Sequence, residues 1–128
     1  MGAAAPFCHD PVIVTVLIVD DHPSFRASAR MLLEAEGFDV VGEAGDGQSA
    51  IAAAHELRPE VVLLDVQLPD IDGFEVASRL TAALDAPAIV LVSSRDGSDF
   101  GPLVAESGAR GFIAKAELSG ERISALLG

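Results

Sequence analysis

Four times along this chain a short apolar run stops on a polar side chain. Val12–Val19 runs into Asp20-Asp21, Val61–Leu64 into Asp65, Ala88–Val92 into Ser93-Ser94, and Gly111–Ala114 into Lys115. The first run is broken only by Thr15, and the first three are rich in β-branched and aliphatic residues. Runs without polar alternation fit strands covered on both faces, as in the interior of a parallel sheet. Helical patterns lie between them. Pro23 suits a first turn, Phe25, Ala29, Leu32 and Leu33 follow at helical spacing, and Gly37 supplies a stop. A short strand is expected at Asp39–Gly42 and a helix over Gln48–Leu57, ahead of Pro59. After a loop holding Pro69 and Gly73, a helix is expected over Phe74–Leu84. The last helix begins at Ser119 as N-cap and places Ile123, Leu126 and Leu127 on one face.

Strands alternating with helices predict an α/β domain, a (βα)5 doubly wound five-stranded parallel sheet with right-handed crossovers and strand order 2-1-3-4-5. In that order the first and third strands are neighbours at the switch point, and ligands bind beyond the carboxyl ends of the strands. The 128 residues suit one domain. We expect a flexible tail over residues 1–11 and the domain over 12–128.

Composition narrows the function classes. A formal net charge of −12 leaves no electrostatic footprint for nucleic acid. No apolar run approaches the roughly 20 residues that cross a bilayer, and Met1–Pro11 lacks the pattern of a secretory signal. The single cysteine, Cys8, excludes an internal disulfide and agrees with a reducing compartment. A cytoplasmic protein that binds neither membrane nor nucleic acid directly is the expectation.

The proposed topology gathers Asp20, Asp21, Asp65, Ser93 and Lys115 on one rim, each placed by a rigid strand. Three carboxylates there cannot all stay ionised without a counter-charge. A hard divalent cation with oxygen ligands answers this need, and Mg²⁺ suits it best. Asp21 and Asp65 are the expected direct ligands, with Asp20 acting through water or as a neighbour that sets pKa. The backbone carbonyl of Gln67 completes the protein ligands. Asp65 can then act as nucleophile toward a phosphoryl group. Mg²⁺, Lys115 and the Ser93 hydroxyl would each hold one peripheral oxygen. Lys115 is the only lysine, the other seven basic residues being arginine. A compact ammonium in an arginine-using chain suggests a geometric need.

Each signal has a bland reading when taken alone. Asp20-Asp21 could be helix capping, the Asp70-Ile71-Asp72-Gly73 stretch a turn, Ser93 a cap and Lys115 a surface residue. Co-occurrence at four strand ends is what favours a site. His22 reads as a solvated loop residue, and His9, His55 and Cys8 are spaced for no metal site.

Asp20-Asp21 after a β-branched strand, Leu64-Asp65 followed by Leu68-Pro69-Asp70 and Gly73, Ser93-Ser94, and Gly111-Phe112-Ile113-Ala114-Lys115 together resemble the receiver domain of two-component response regulators. The stretch Asp21-His22-Pro23 with Phe25-Arg26 is similar to the subclass usually fused to a LuxR-type helix-turn-helix domain. The resemblance covers about Val12 to the C-terminus and implies a flavodoxin-like fold. It implies an acidic pair for Mg²⁺, with Mn²⁺ as a substitute, and Asp65 as phosphoacceptor from a sensor histidine kinase. It also implies a switch, in which Ser93 moves onto the phosphoryl group and Phe112 turns inward. An output domain or partner outside this chain would follow, and a homodimer through the last helices fits family precedent. The chain departs from many receivers in Ala116 after Lys115, where proline is common, and in Phe112, which lacks the hydroxyl of a tyrosine.

Such a domain would catalyse only its own phosphorylation and dephosphorylation. Two rivals remain: a receiver-like interaction module that is never phosphorylated, and a Mg²⁺-dependent phosphohydrolase with an aspartate nucleophile. The second usually needs another acid close to the nucleophile and a cap domain. Here the residue two past Asp65 is Gln67, and the length leaves no room for a cap. Finally, Gly97, Gly101 and Pro102 disfavour helix between Ser94 and Ser107. A mobile loop is expected there, with fast amide exchange between Gly97 and Gly101 and a helix starting near Gly101 or Pro102.

Overall fold

The computed structural model describes residues 13–94 and 100–128. In chain order, the elements among them are β1 (Thr15–Val19), α1 (Pro23–Ala35), β2 (Asp39–Ala44), α2 (Gly47–Leu57), β3 (Val61–Asp65), α3 (Gly73–Thr81), β4 (Ala88–Ser93), α4 (Leu103–Glu106), β5 (Gly111–Ala114), a 3-10 turn (Lys115–Glu117) and α5 (Gly120–Leu127). The strands form one sheet in the order β2-β1-β3-β4-β5, every pairing parallel. This is the doubly wound arrangement that the alternation of patterns implies.

Why the strand sequences lack polar alternation is visible in the packing. Leu17, Val19, Val62, Leu64, Ile89 and Leu91 face one side of the sheet, beneath Ala50 and Ala54 of α2 and Val76, Ala77 and Leu80 of α3. Val16, Ile18, Val61, Leu63, Val90 and Val92 face the other, against Ala29 and Leu33 of α1 and Ile123 of α5. Both faces are covered, so both sets of alternating positions must be apolar.

Several boundaries differ from expectation for local reasons. Val12 and the tail over 1–11 lie outside the described residues, and Ile13 and Val14 precede β1 rather than belonging to it. β2 continues two residues past Gly42 to Ala44 because the pairing with β1 shifts register between Val16 and Leu17, which accommodates Val41 as an extra residue. The start of α2 at Gly47 follows from Asp46, whose side chain accepts from the Ser49 N–H at 2.7 Å. α3 stops at Thr81, and Leu84, expected to close it, is fully exposed. The Thr81 hydroxyl turns back to donate to the Ala77 carbonyl at 2.8 Å. The Ser119 cap stands as expected, accepting from the Arg122 N–H at 3.1 Å. α4 begins at Leu103 behind Pro102, with Gly101 at φ +53°. The rest of that loop reading concerns residues 95–99 and lies outside the described residues.

The acidic turn after β3 has two structural duties. Asp72 caps α3 by accepting from the Glu75 N–H at 2.9 Å. Asp70 reaches across to α2, accepting from the Gly47 N–H at 2.7 Å and the Gln48 N–H at 3.0 Å. These backbone bonds, that from Gly47 foremost, hold the Asp70 carboxyl below its usual pKa. The turn then closes on Gly73, whose N–H donates to the Val66 carbonyl at 2.7 Å. A Cβ at Gly73 would run into the Asp65 carbonyl oxygen and sit 2.7 Å from the Val66 Cα. Both neighbours are backbone, so no side-chain rotation relieves the clash. Gly73→Ala is expected to cost about 1–3 kcal/mol in urea unfolding; wild-type stability in the variant would contradict this packing.

Candidate functional site

The carboxyl ends of β1, β3, β4 and β5 deliver their polar residues to one rim. Asp65 ends β3 opposite Val92 of β4, and Ser93 ends β4 opposite Ala114 of β5, one residue short of Lys115. Asp20 follows Val19, which pairs with Leu64. The sheet register thus places Asp20, Asp65, Ser93 and Lys115 at one edge of the sheet. Asp21 stands at the mouth, its side chain 38% exposed.

Asp20 is the anchor of the group and is fully buried. Its Oδ1 accepts from the His22 backbone N–H at 2.8 Å and lies 3.0 Å from His22 Nδ1. Its Oδ2 accepts no well-aligned hydrogen bond among the described residues and instead meets the Lys115 ammonium at 2.5 Å. The same ammonium lies 3.4 Å from Asp65 Oδ2 and 4.4 Å from the centre of the Phe25 ring. Asp65 Oδ1 accepts from the Gln67 N–H at 3.1 Å. Gln67 itself is exposed, one step beyond the buried Val66. Ser93, at the end of β4, is buried as well.

The two buried carboxyls respond in opposite directions. Burial pushes Asp20 upward, but Lys115 and the His22 N–H outweigh it and leave the carboxyl below its usual range. Asp65 is raised, first by burial and also by the neighbouring Asp20 charge, which the Gln67 N–H and the more distant Lys115 do not offset. The nucleophile expected from the sequence is thus the carboxylate short of positive charge.

A divalent cation fits this donor set. One ligand atom from each of Asp20, Asp21, His22 and Asp65 lies within 4.8 Å of the others. The oxygens are hard donors, and three acids share the pocket with a single ammonium. His22 is the residue that sequence reasoning set aside. Its Nδ1 is 3.0 Å from Asp20 and 3.1 Å from Asp21. The available signal was its position directly after the acidic pair.

Phe112, the aromatic of the implied switch, is half-buried on β5. Its ring centre is 5.5 Å from that of Phe100, which stands edge-on to Phe74 at 5.5 Å.

A family model described as the response regulator receiver domain matches residues 16–127. The chain belongs to that family. Similar proteins agree with the LuxR-type subclass. The transcription regulator BvgA of Bordetella pertussis is 43% identical over 111 residues, covering 86% of this chain and 53% of BvgA. Response regulator GacA of Pseudomonas aeruginosa is 35% identical over 115 residues, covering 89% of this chain and 54% of GacA. Among solved structures, a LuxR-family two-component response regulator from Aurantimonas superposes with a TM-score of 0.82 at 31% identity, covering 91% of this chain and 87% of that one. The chain spans about half the length of the curated relatives it matches. It is a receiver domain of two-component signal transduction. Among the described residues, no helix is long and apolar enough to cross a membrane.

The raised Asp65 pKa carries a consequence for this receiver. An acid whose pKa is raised by the fold lowers stability as pH climbs above its unfolded pKa, so Asp65 costs the metal-free protein stability at neutral pH. Asp65→Asn is expected to raise the metal-free melting temperature by roughly 2–5 °C. A fall in melting temperature would show that the Asp65 charge is already compensated.

Proposed function

We propose that this receiver takes a phosphoryl group onto Asp65 from a sensor histidine kinase in a Mg²⁺-dependent reaction. Asp20, Asp21 and Asp65, with the Gln67 backbone carbonyl, would hold the ion. When bound, it supplies positive charge to the acidic pocket and to a phosphoryl oxygen. The remaining work belongs to the side chains. An Asp65 carboxylate oxygen attacks phosphorus, the O–P bond forms as the P–N bond to the kinase histidine breaks, and the released imidazole keeps its electron pair. The attacking form is the carboxylate, which the bound ion and Lys115 would favour against the upward pull of burial.

Lys115 is held between Asp20 and Asp65 and would turn its ammonium onto one peripheral oxygen of the acyl phosphate. The Ser93 hydroxyl would take another, drawing the end of β4 inward. Phe112 would follow into the space behind it. Catalysis would be confined to the domain's own phosphorylation and to the hydrolysis that resets it. The output would lie in a domain or partner outside this chain, and the setting would be the cytoplasm.

The observation that carries this reading is the buried Asp65 carboxylate, 4% exposed, beside an acidic pair with an ammonium 3.4 Å away. Incubation with acetyl phosphate and Mg²⁺ should add one phosphoryl group by intact-mass spectrometry. Asp65→Asn should abolish the adduct, and Lys115→Ala should slow its formation on the order of 10²-fold, as for loss of one charge-stabilising donor. An unmodified wild type would point to an unphosphorylated interaction module. Sustained phosphate release from many monoesters would point to a phosphohydrolase.

A further inference from the structure

The position of His22 fits a cation better than it fits a loop residue. Its Nδ1 makes two edges with carboxylate oxygens, 3.0 Å to Asp20 Oδ1 and 3.1 Å to Asp21 Oδ1. An octahedral ion with bonds of about 2.1 Å sets adjacent ligands about 3.0 Å apart. The two distances from Nδ1 therefore match two edges of such a shell. The other oxygen of that carboxylate, Asp20 Oδ2, is taken up by the Lys115 ammonium at 2.5 Å, so Oδ1 is the atom left to face His22.

The side chain is otherwise without structural duty. His22 is the N-cap of α1 but makes no side-chain capping bond, and its ring is 66% exposed. Its backbone N–H, not its ring, provides the other contact with Asp20.

We propose that His22 is a metal-selecting residue of this receiver, its neutral imidazole ligating the bound dication through Nδ1. The inference rests on the metal-dependent reading of the acidic pocket and deepens it. An imidazole does little for Mg²⁺, which prefers oxygen and retains water. It favours first-row transition dications, whose affinity for nitrogen donors rises from Mn²⁺ onward. The pocket is thereby tuned toward Mn²⁺ and its heavier neighbours relative to an all-oxygen receiver site.

The test uses Mn²⁺ alone, with the wild-type chain, His22→Ala and Asp21→Asn. Pulsed EPR of the bound Mn²⁺ should show imidazole ¹⁴N modulation in wild type and lose it in His22→Ala. Calorimetry should show His22→Ala weakening Mn²⁺ by at least about tenfold while Mg²⁺ changes by less than about threefold. Mn²⁺ that binds and is weakened by Asp21→Asn, but gives the same spectrum and the same Mn²⁺-to-Mg²⁺ ratio with and without His22, overturns the role of His22 alone. A wild-type chain that binds neither ion overturns the metal reading with it.

Discussion

Lys115 spans two buried carboxylates that it cannot serve equally. It stands 2.5 Å from Asp20 and 3.4 Å from Asp65. Asp20, with the closer contact, is held ionised, while Asp65 carries the burial penalty and the repulsion of Asp20. The imbalance leaves the pocket short of positive charge beside the very carboxylate proposed as nucleophile. A bound cation would relieve it, and would be needed all the more once anionic phosphoryl oxygens compete with Asp20 for Lys115.

The frame around that pocket resists deformation. Strands β1, β3 and β4 are buried on both faces, so their ends have little freedom to drift. The acidic turn after β3 is tied at three points: Asp72 to α3, Asp70 to the first turn of α2, and Gly73 to the Val66 carbonyl. Asp65 is thus presented from a fixed backbone, which suits in-line transfer. The other side of the site is aromatic. Phe112 packs on Phe100, which in turn stands edge-on to Phe74 at the start of α3, so a shift of β5 would have a packed path along which to be felt.

Much of this was legible before any coordinates. Val61–Asp65 reads as a buried strand with a polar terminus, and it is one. The residues at four strand ends share an edge because a parallel sheet brings all its carboxyl ends to one side. The less legible parts are those where two signals look the same in one dimension. Asp20, Asp21, Asp70 and Asp72 are all acids near helix starts, yet Asp20 holds a lysine while Asp70 and Asp72 hold backbone amides. Leu84 continues an apolar helical spacing and nonetheless projects into solvent, because α3 had already closed at Thr81.

By itself the sequence determined the order of elements, the strand order, and which side chains would share the rim, since these follow from local periodicity and from handedness rules that admit few topologies. Tertiary structure alone decided which carboxylate took the ammonium, that His22 turned its ring onto the acidic pair, and that Phe100 covered Phe112. Those outcomes depend on side-chain rotamers and on competition for one charge among groups far apart in the chain. The Lys115 and Phe100 distances are set only when the sheet twists and packs, whereas the His22 contacts, local in the chain, turn on the choice of rotamer.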